Sequence, residues 1–320
     1  MTVRLMALVA VVMLAACSPA PTKPAGPPSP GVNRPRPVVA LITHQPPGDT
    51  FWDIVRRGAQ AAADQDGVDL QYLHDPDPAA QARMVTDAVG HKVGGIAVTL
   101  ADPPAMASAV RTAVAARIPV VALNTGIGAW EPLGVLSYFG QDDGVAGRAA
   151  GARLAHEGAQ DVLCVIQEAG HVGLEARCDG AATTFTGTLQ RLQVDGTMPN
   201  EVESAIVTKL QQDRGIDRVL TLAAPVALIA LRAVGAANSY AKVVTFDTNP
   251  AVIDAIKSGT ISWAIDQQPY LQGYLAVDAL WLYIANRNVI GGGQPTLTGP
   301  SFVDESNVES VGDRAKEGTR

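Results

Sequence analysis

The chain has 320 residues, enough for two domains at roughly 100–200 residues each. Apolar residues make up 47% of it, which excludes wholesale disorder, and aromatics at 5% leave the core to Ala, Val, Leu and Ile. With 24 Lys and Arg against 31 Asp and Glu the net charge is -7, so neither a non-specific nucleic-acid binder nor a polybasic membrane anchor is expected.

Arg4 opens a thin positive segment, and Leu5 to Ala16 is an almost unbroken apolar run. That run has the length of a signal-peptide core and falls short of the about 20 residues that span a bilayer. It ends in Leu14-Ala15-Ala16-Cys17, which resembles a bacterial lipobox, so Cys17 is the expected lipidation site and residues 1–17 the signal segment. Residues 18–36 are dense in Pro with Gly, Ser and Lys and read as a semi-extended tether. Together they predict an extracytoplasmic protein held at the cell membrane by its lipid.

Beyond the tether, short β-branched runs alternate with Ala-rich helical stretches. The strands expected in chain order are Val38–Ile42, Val68–Leu73, Gly95–Thr99, Pro119–Leu123, Val135–Phe139, Val162–Ile166, Arg218–Leu222, Lys242–Phe246 and Ser262–Ile265. Helices are expected over Trp52–Asp64, Ala79–Gly90, Pro103–Ala116, Gly144–Glu157, Leu174–Leu189, Asn200–Gln212, Val226–Ala236, Pro250–Lys257 and Leu271–Ala285. Pro103, Pro225 and Pro250 stand where a first helical turn tolerates proline. Continuous apolar strands alternating with helices imply an α/β fold of parallel sheets covered on both faces, here two doubly wound lobes. Cys164 falls in a strand and Cys178 in the following helix; they can form a disulfide or stay as two buried thiols.

Ligands of open parallel sheets bind beyond the carboxyl ends of the strands. The residues placed there include His44, Asp49, Phe51, Trp52, Asn124, Gln141, Asp142, Asp143, Glu168, His171, Arg177, Asp247, Asp266 and Gln267. Paired amides, carboxylates and an Arg suit a small polyhydroxylated ligand, because hydroxyls need donors and acceptors together. Phe51 and Trp52 can stack on the C–H face of a sugar ring or staple a helix start. Asp142 can touch a ligand or cap the next helix, and His171 and His44 can line the cleft or be merely solvated. No elbow, HExxH, Walker A, GxGxxG or CxxC signature appears, so no enzyme, metal or cofactor is expected.

Six segments in order carry a resemblance to the type I periplasmic sugar-binding proteins of the ribose-binding family. They are 49–58 with Phe51-Trp52 and Gly58, 118–124 ending in Asn124, 140–151 with Gly147 and Gly151, 174–180 with Arg177, 243–247 ending in Asp247, and 265–273 with Gln267 and Gly273. The resemblance spans about residues 37–308. It implies two lobes, 37–141 plus 268–297 and 142–267 plus 298–312, joined by three crossing segments that form a hinge; residues 313–320 are expected to be a disordered tail. It implies a solute receptor of an ABC importer, acting with permease subunits as a monomer. It implies that Phe51 and Trp52 stack on the ligand, that Asn124, Asp247 and Gln267 hydrogen-bond it, and that Arg177 reaches it or braces the helix; with Asp49, Asp142 and His171 from the strand ends, these are the expected ligand residues around a pentose, other monosaccharide, polyol or cyclitol. A sensor that signals to a membrane kinase, or a receptor for a small modified or signalling sugar, is the alternative. Where many members carry a polar pair after the strand at Leu222, this chain has Ala223-Ala224-Pro225, so its second lobe offers fewer polar contacts.

Overall fold

The computed structural model describes residues 35–320; Cys17, the signal segment and most of the tether lie outside the described residues. The first half runs β1 (Val38–Thr43), α1 (Phe51–Asp66), β2 (Asp69–His74), α2 (Pro78–Gly90), β3 (Gly95–Val98), α3 (Pro103–Ala115), β4 (Val120–Asn124) and β5 (Tyr138–Gly140). Next come α4 (Asp143–His156), β6 (Asp161–Ile166), α5 (Val172–Thr184), β7 (Thr188–Gln193), α6 (Pro199–Gln212), β8 (Arg218–Thr221), α7 (Ala224–Ala236), β9 (Lys242–Phe246), α8 (Pro250–Lys257) and β10 (Ile261–Asp266). The chain ends with α9 (Pro269–Asn286), β11 (Thr296–Leu297), β12 (Ser301–Asp304) and α10 (Val308–Lys316).

Local chemistry explains the boundaries. Asp77, Asp102 and Asn249 each accept a backbone N–H at the start of α2, α3 and α8, and each is followed by a proline whose missing N–H would have been unpaired there. Apart from the polar Thr43 and Asn124 at their carboxyl ends and the half-buried Val38, β1, β3 and β4 are apolar and buried, as strands covered on both faces must be.

Two six-stranded sheets result, ordered β11-β5-β4-β3-β1-β2 and β12-β10-β9-β8-β6-β7. All neighbours are parallel except β10 and β12. Each sheet has an apolar layer on both faces, so the molecule is two α/β lobes of the doubly wound type. The chain passes between sheets three times: from β5 to α4, from β10 to α9 and from β11 to β12. Helix α9 returns to the first lobe and lies along α1. There Gly58 faces the Tyr270 carbonyl and Gly273 the Val55 carbonyl, too close for any side chain. In the second lobe Gly147 and Gly151 let α4 approach the backbone of α5 at Arg177 and Ala181 in the same way. Cys164 on β6 and Cys178 on α5 are joined as a disulfide across Cα atoms 6.1 Å apart. No helix among the described residues is long and apolar enough to cross a membrane.

Two expectations are corrected. The helix foreseen over Leu174–Leu189 stops at Thr184, because Thr188–Gln193 leaves it as the edge strand β7. That strand is half exposed and polar, so it lacks the apolar run that marks the inner strands. Residues 313–320 are not a disordered tail. α10 buries Val308, Gly312 and Ala315 along one face, a helical spacing, and Arg320 Nε reaches Asp266 Oδ2 at 2.7 Å.

Candidate functional site

The carboxyl ends of both sheets face each other, and nearly every polar residue foreseen for the site is there. Asn124 closes β4 and Asp247 follows β9; both have positive φ, 70° and 64°. Such backbone is costly for most residues and tolerated by Asn and Asp, and it collects at functional positions. Gln267 sits in the crossing between β10 and α9. Its Nε2 donates to Asp247 Oδ1 at 2.8 Å, and its Oε1 accepts from Asn124 Nδ2 at 3.1 Å and from Gln272 Nε2 at 3.0 Å. A continuous polar chain therefore runs from the first lobe through a crossing segment to the second. Its carbonyl accepts from Thr298 Oγ1 at 2.7 Å, which ties in the last crossing.

Arg177 on α5 is 3% exposed. Its Nε donates to Asp143 Oδ1 at 2.8 Å, another nitrogen donates to the Leu222 carbonyl at 3.0 Å, and the guanidinium lies 4.7 Å from the Phe246 ring centre. Gln141 Nε2 also donates to Asp143 Oδ1 at 3.0 Å. Burial raises the Asp143 carboxyl above the usual range and Arg177 opposes it. Burial pushes Asp247 up to about 7 against the pull of Arg177 and Gln267.

At the mouth of the cleft is a cavity of about 680 Å³ walled by His44, Asp49, Glu168, His171, Pro225 and Val226 among others. Burial pushes Asp49 up to about 6, while the Phe51 N–H at 3.0 Å from its Oδ1 works the other way. Burial, with the negative Asp49 nearby, pushes Glu168 up to about 7. His171 caps α5: its Nδ1 accepts from Gly173 N and Leu174 N at 3.1 and 3.2 Å. Its Nε2 stands 3.2 Å from His44 Nε2, across the lobes. Phe51 and Trp52 meet edge to face at 5.1 Å between ring centres and are buried with the core on one face of the first sheet; Trp52 also meets the His44 ring at 4.8 Å.

Asp142 takes the capping role weighed for it: its Oδ1 accepts from Val145 N at 2.9 Å at the start of α4, and its neighbour Asp143 is the buried carboxylate that meets Arg177. A capping aspartate one residue ahead of the first turn was the readable signal, because the cap spends its side chain on the backbone. Gln272 and Thr298 were missed as members of the network, and nothing in their sequence surroundings marks them. Thr125 Oγ1, Gln141 Oε1 and Gln167 Oε1 are buried in this region with no partner among the described residues. The whole arrangement offers amide donors, carboxylate acceptors and hydroxyl groups between the two lobes, which suits a neutral ligand rich in hydroxyls.

Similar proteins carry the same architecture. The xylose/arabinose-binding protein of Sulfolobus acidocaldarius is 26% identical over 255 residues, covering 71% of this chain and 61% of that protein, so this chain spans under two thirds of its length. The ribose import binding protein of Haemophilus influenzae is 30% identical over 237 residues, covering 71% of this chain and 79% of that one. The crystal structure of a carbohydrate transporter from Acidothermus cellulolyticus 11B in complex with myo-inositol superposes with a TM-score of 0.88 at 55% identity, over 89% of this chain and all of that one. The description of the periplasmic binding protein domain matches residues 39–288, and with the two lobes, the three crossings and the cleft network in place, the chain belongs to that family, with the type I fold.

Proposed function

We propose that the protein is the extracytoplasmic receptor of an ABC importer and closes its two lobes on a monosaccharide or cyclitol. The Asn124–Gln267–Asp247 chain carries this reading. It offers fixed donors and acceptors from both lobes, which vicinal hydroxyls can bridge. A cyclitol is the first ligand to test, since the relative at 55% identity was solved with myo-inositol and the second lobe here is apolar at Ala223-Ala224-Pro225. Asn124, Asp247 and Gln267 hydrogen-bond the hydroxyls, Arg177 braces Asp143 and the Leu222 carbonyl, and Phe51 and Trp52 back the site from the core beside His44. The disulfide suits an oxidising compartment. Lipid on Cys17 and the tether of residues 18–36 would hold the lobes near the permease.

A thermal-shift screen of pentoses, hexoses, polyols and cyclitols, with amino acids as controls, tests the reading. A ligand at 100 times its dissociation constant stabilises by about 2.7 kcal/mol, and a folded protein silent to the whole panel would refute it. Asp247→Asn keeps the backbone type and removes the charged acceptor, so affinity should fall by about 10-fold or more; unchanged affinity would take Asp247 out of the site. Cys17→Ser should release the protein from membranes, and continued membrane association would refute the anchor.

A further inference from the structure

The first turn of α5 is where the second lobe lands on the first. His171 meets His44, the Val172 N–H donates to the Ala101 carbonyl at 3.1 Å, and Gly173 is pressed against Thr125. Three consecutive residues thus touch the ends of β1, β3 and β4.

The hydrogen-bond partners dictate the protonation of both imidazoles. Backbone N–H groups only donate, so His171 Nδ1, which meets two of them, holds a lone pair. In a neutral ring the hydrogen is then on Nε2, and the His44 Nε2 facing it must accept. His44 carries its own hydrogen on Nδ1, which donates to Thr99 Oγ1 at 2.7 Å. One proton per ring satisfies the cap and the contact between the rings, with Thr99 Oγ1 shared among three donors: His44 Nδ1, the His44 N–H and Gln81 Nε2. A second proton on His44 sets two N–H groups against each other, and one on His171 Nδ1 expels two backbone donors.

We propose that the His44–His171 contact is a proton-sensitive latch, which holds the cleft shut with both rings neutral and lets it open when either ring takes up a proton. This rests on the reading of the cleft as one that closes on a ligand. One ring nitrogen of each histidine and a Glu168 oxygen lie within 4.8 Å of one another, the donor set of a zinc site. The hydrogen fixed on His171 Nε2 takes that nitrogen out of such a site.

The groups facing the pair act in opposite directions. Arg177 from α5 disfavours a charged imidazole, as does burial, which holds His44 down to about 3 and His171 well below its ordinary value. Asp49 beside α1, Glu168 after β6, Asp143 on α4 and Asp247 after β9 all have carboxyls raised by burial, so wherever shutting the cleft supplies that burial it takes protons up, while it releases them at the imidazoles. With a raised carboxyl, Glu168 is largely neutral in acid and gives an imidazolium no counter-charge. Falling pH therefore favours closure through the acids and opposes it through the histidines. From an open-state value near 6.5, each imidazole weakens closure by about 30-fold at pH 5.

Amide exchange at Val172 reads the latch, because that N–H bonds across the lobes. Its protection factor, corrected for the intrinsic pH dependence of exchange, would be measured from pH 8 to pH 5 in the full chain and in His44→Gln and His171→Asn, the latter keeping a capping side chain. Val165 in β6 reports whether each variant remains folded. We expect Val172 protection to fall in acid about 30-fold further in the wild type than in either variant. Parallel profiles in all three proteins would overturn the latch, and so would zinc alone raising Val172 protection in the wild type at neutral pH. The dissociation rate of myo-inositol over the same range is expected to rise in acid more steeply in the wild type than in the variants. Failure of myo-inositol to bind at any pH would count against the ligand reading, and exchange at Val172 would still decide the latch.

Discussion

Replacing Arg177 by leucine gives the sharpest test of how the second lobe is held. Its partner Asp143 is as buried as Arg177 itself, with side chains 4% exposed on each side. Removing one member of a buried ion pair leaves an uncompensated charge and costs about 3–5 kcal/mol. The N–H to the Leu222 carbonyl is lost as well. At roughly 2–4 °C per kcal/mol for a body of this size, melting should fall by about 10 °C. Arg177→Leu with Asp143→Leu should recover most of that, since apolar replacements of a buried pair are often tolerated. The pH dependence has a fixed sign. Burial already raises the Asp143 carboxyl, and without Arg177 it rises further. An acid whose folded value lies above its unfolded value favours folding at low pH, and that contribution is lost as pH rises through the folded value. The deficit of Arg177→Leu should therefore be larger at pH 8 than at pH 5. Calorimetric melts of wild type, single and double variants at both pH values decide it. A single variant melting within about 2 °C of wild type, or a deficit that widens in acid, would refute the argument.

Two further perturbations follow from the packing. The Cys164–Cys178 disulfide closes a segment 14 residues apart, worth about 3 kcal/mol by loop entropy, so reductant should lower the melting temperature by several degrees. The Cys164→Ala, Cys178→Ala protein should melt low and ignore reductant; an equal response to reductant in both proteins would exclude the bond as its cause. Gly273→Ala would press a methyl onto the Val55 carbonyl and separate α9 from α1, costing about 1–3 kcal/mol. Gly235→Ala on α7 meets nothing within 4 Å and should stabilise by about 0.5–1 kcal/mol, as seen by urea unfolding; a loss there equal to that at Gly273 would show that contact geometry is not what separates them.

The inner strands and most helices were legible because burial on both faces demands continuous apolar runs and because caps and prolines mark helix starts. Edge elements were not. β7 is polar and half exposed, β11 is two residues long, and α10 is a nine-residue, mostly polar helix. Around the candidate site, residues at strand ends were legible by position, which is why Asn124, Asp247 and Gln267 could be named; Arg177, on α5, was singled out by the resemblance. Choosing between Asp142 and Asp143 needed the helix register, and the meeting of His44 with His171 needed the lobes themselves. The two are 127 residues apart, and no local pattern joins them.

Gln267 explains how ligand and hinge can share one equilibrium. It belongs to a crossing segment, yet its two side-chain ends are spent on Asn124 of the first lobe and Asp247 of the second. Its carbonyl holds Thr298 in another crossing, and Gln268 Nε2 binds the Thr298 carbonyl at 2.6 Å. A hydroxyl that bonds Asp247 or Asn124 must therefore either displace the Gln267 amide or bond alongside it. In both cases the free energy of the contact depends on where the crossing segments place that amide, and so on the angle between the lobes. A ligand can shift a conformational equilibrium only by its difference in affinity for the two states. In the proposed reading that difference comes from the network, since opening the lobes would part Asn124 from Asp247 and leave Gln267 unable to bond both. The proton acts on the same equilibrium from the opposite wall of the cleft, where the closed arrangement has room for only one hydrogen on each imidazole.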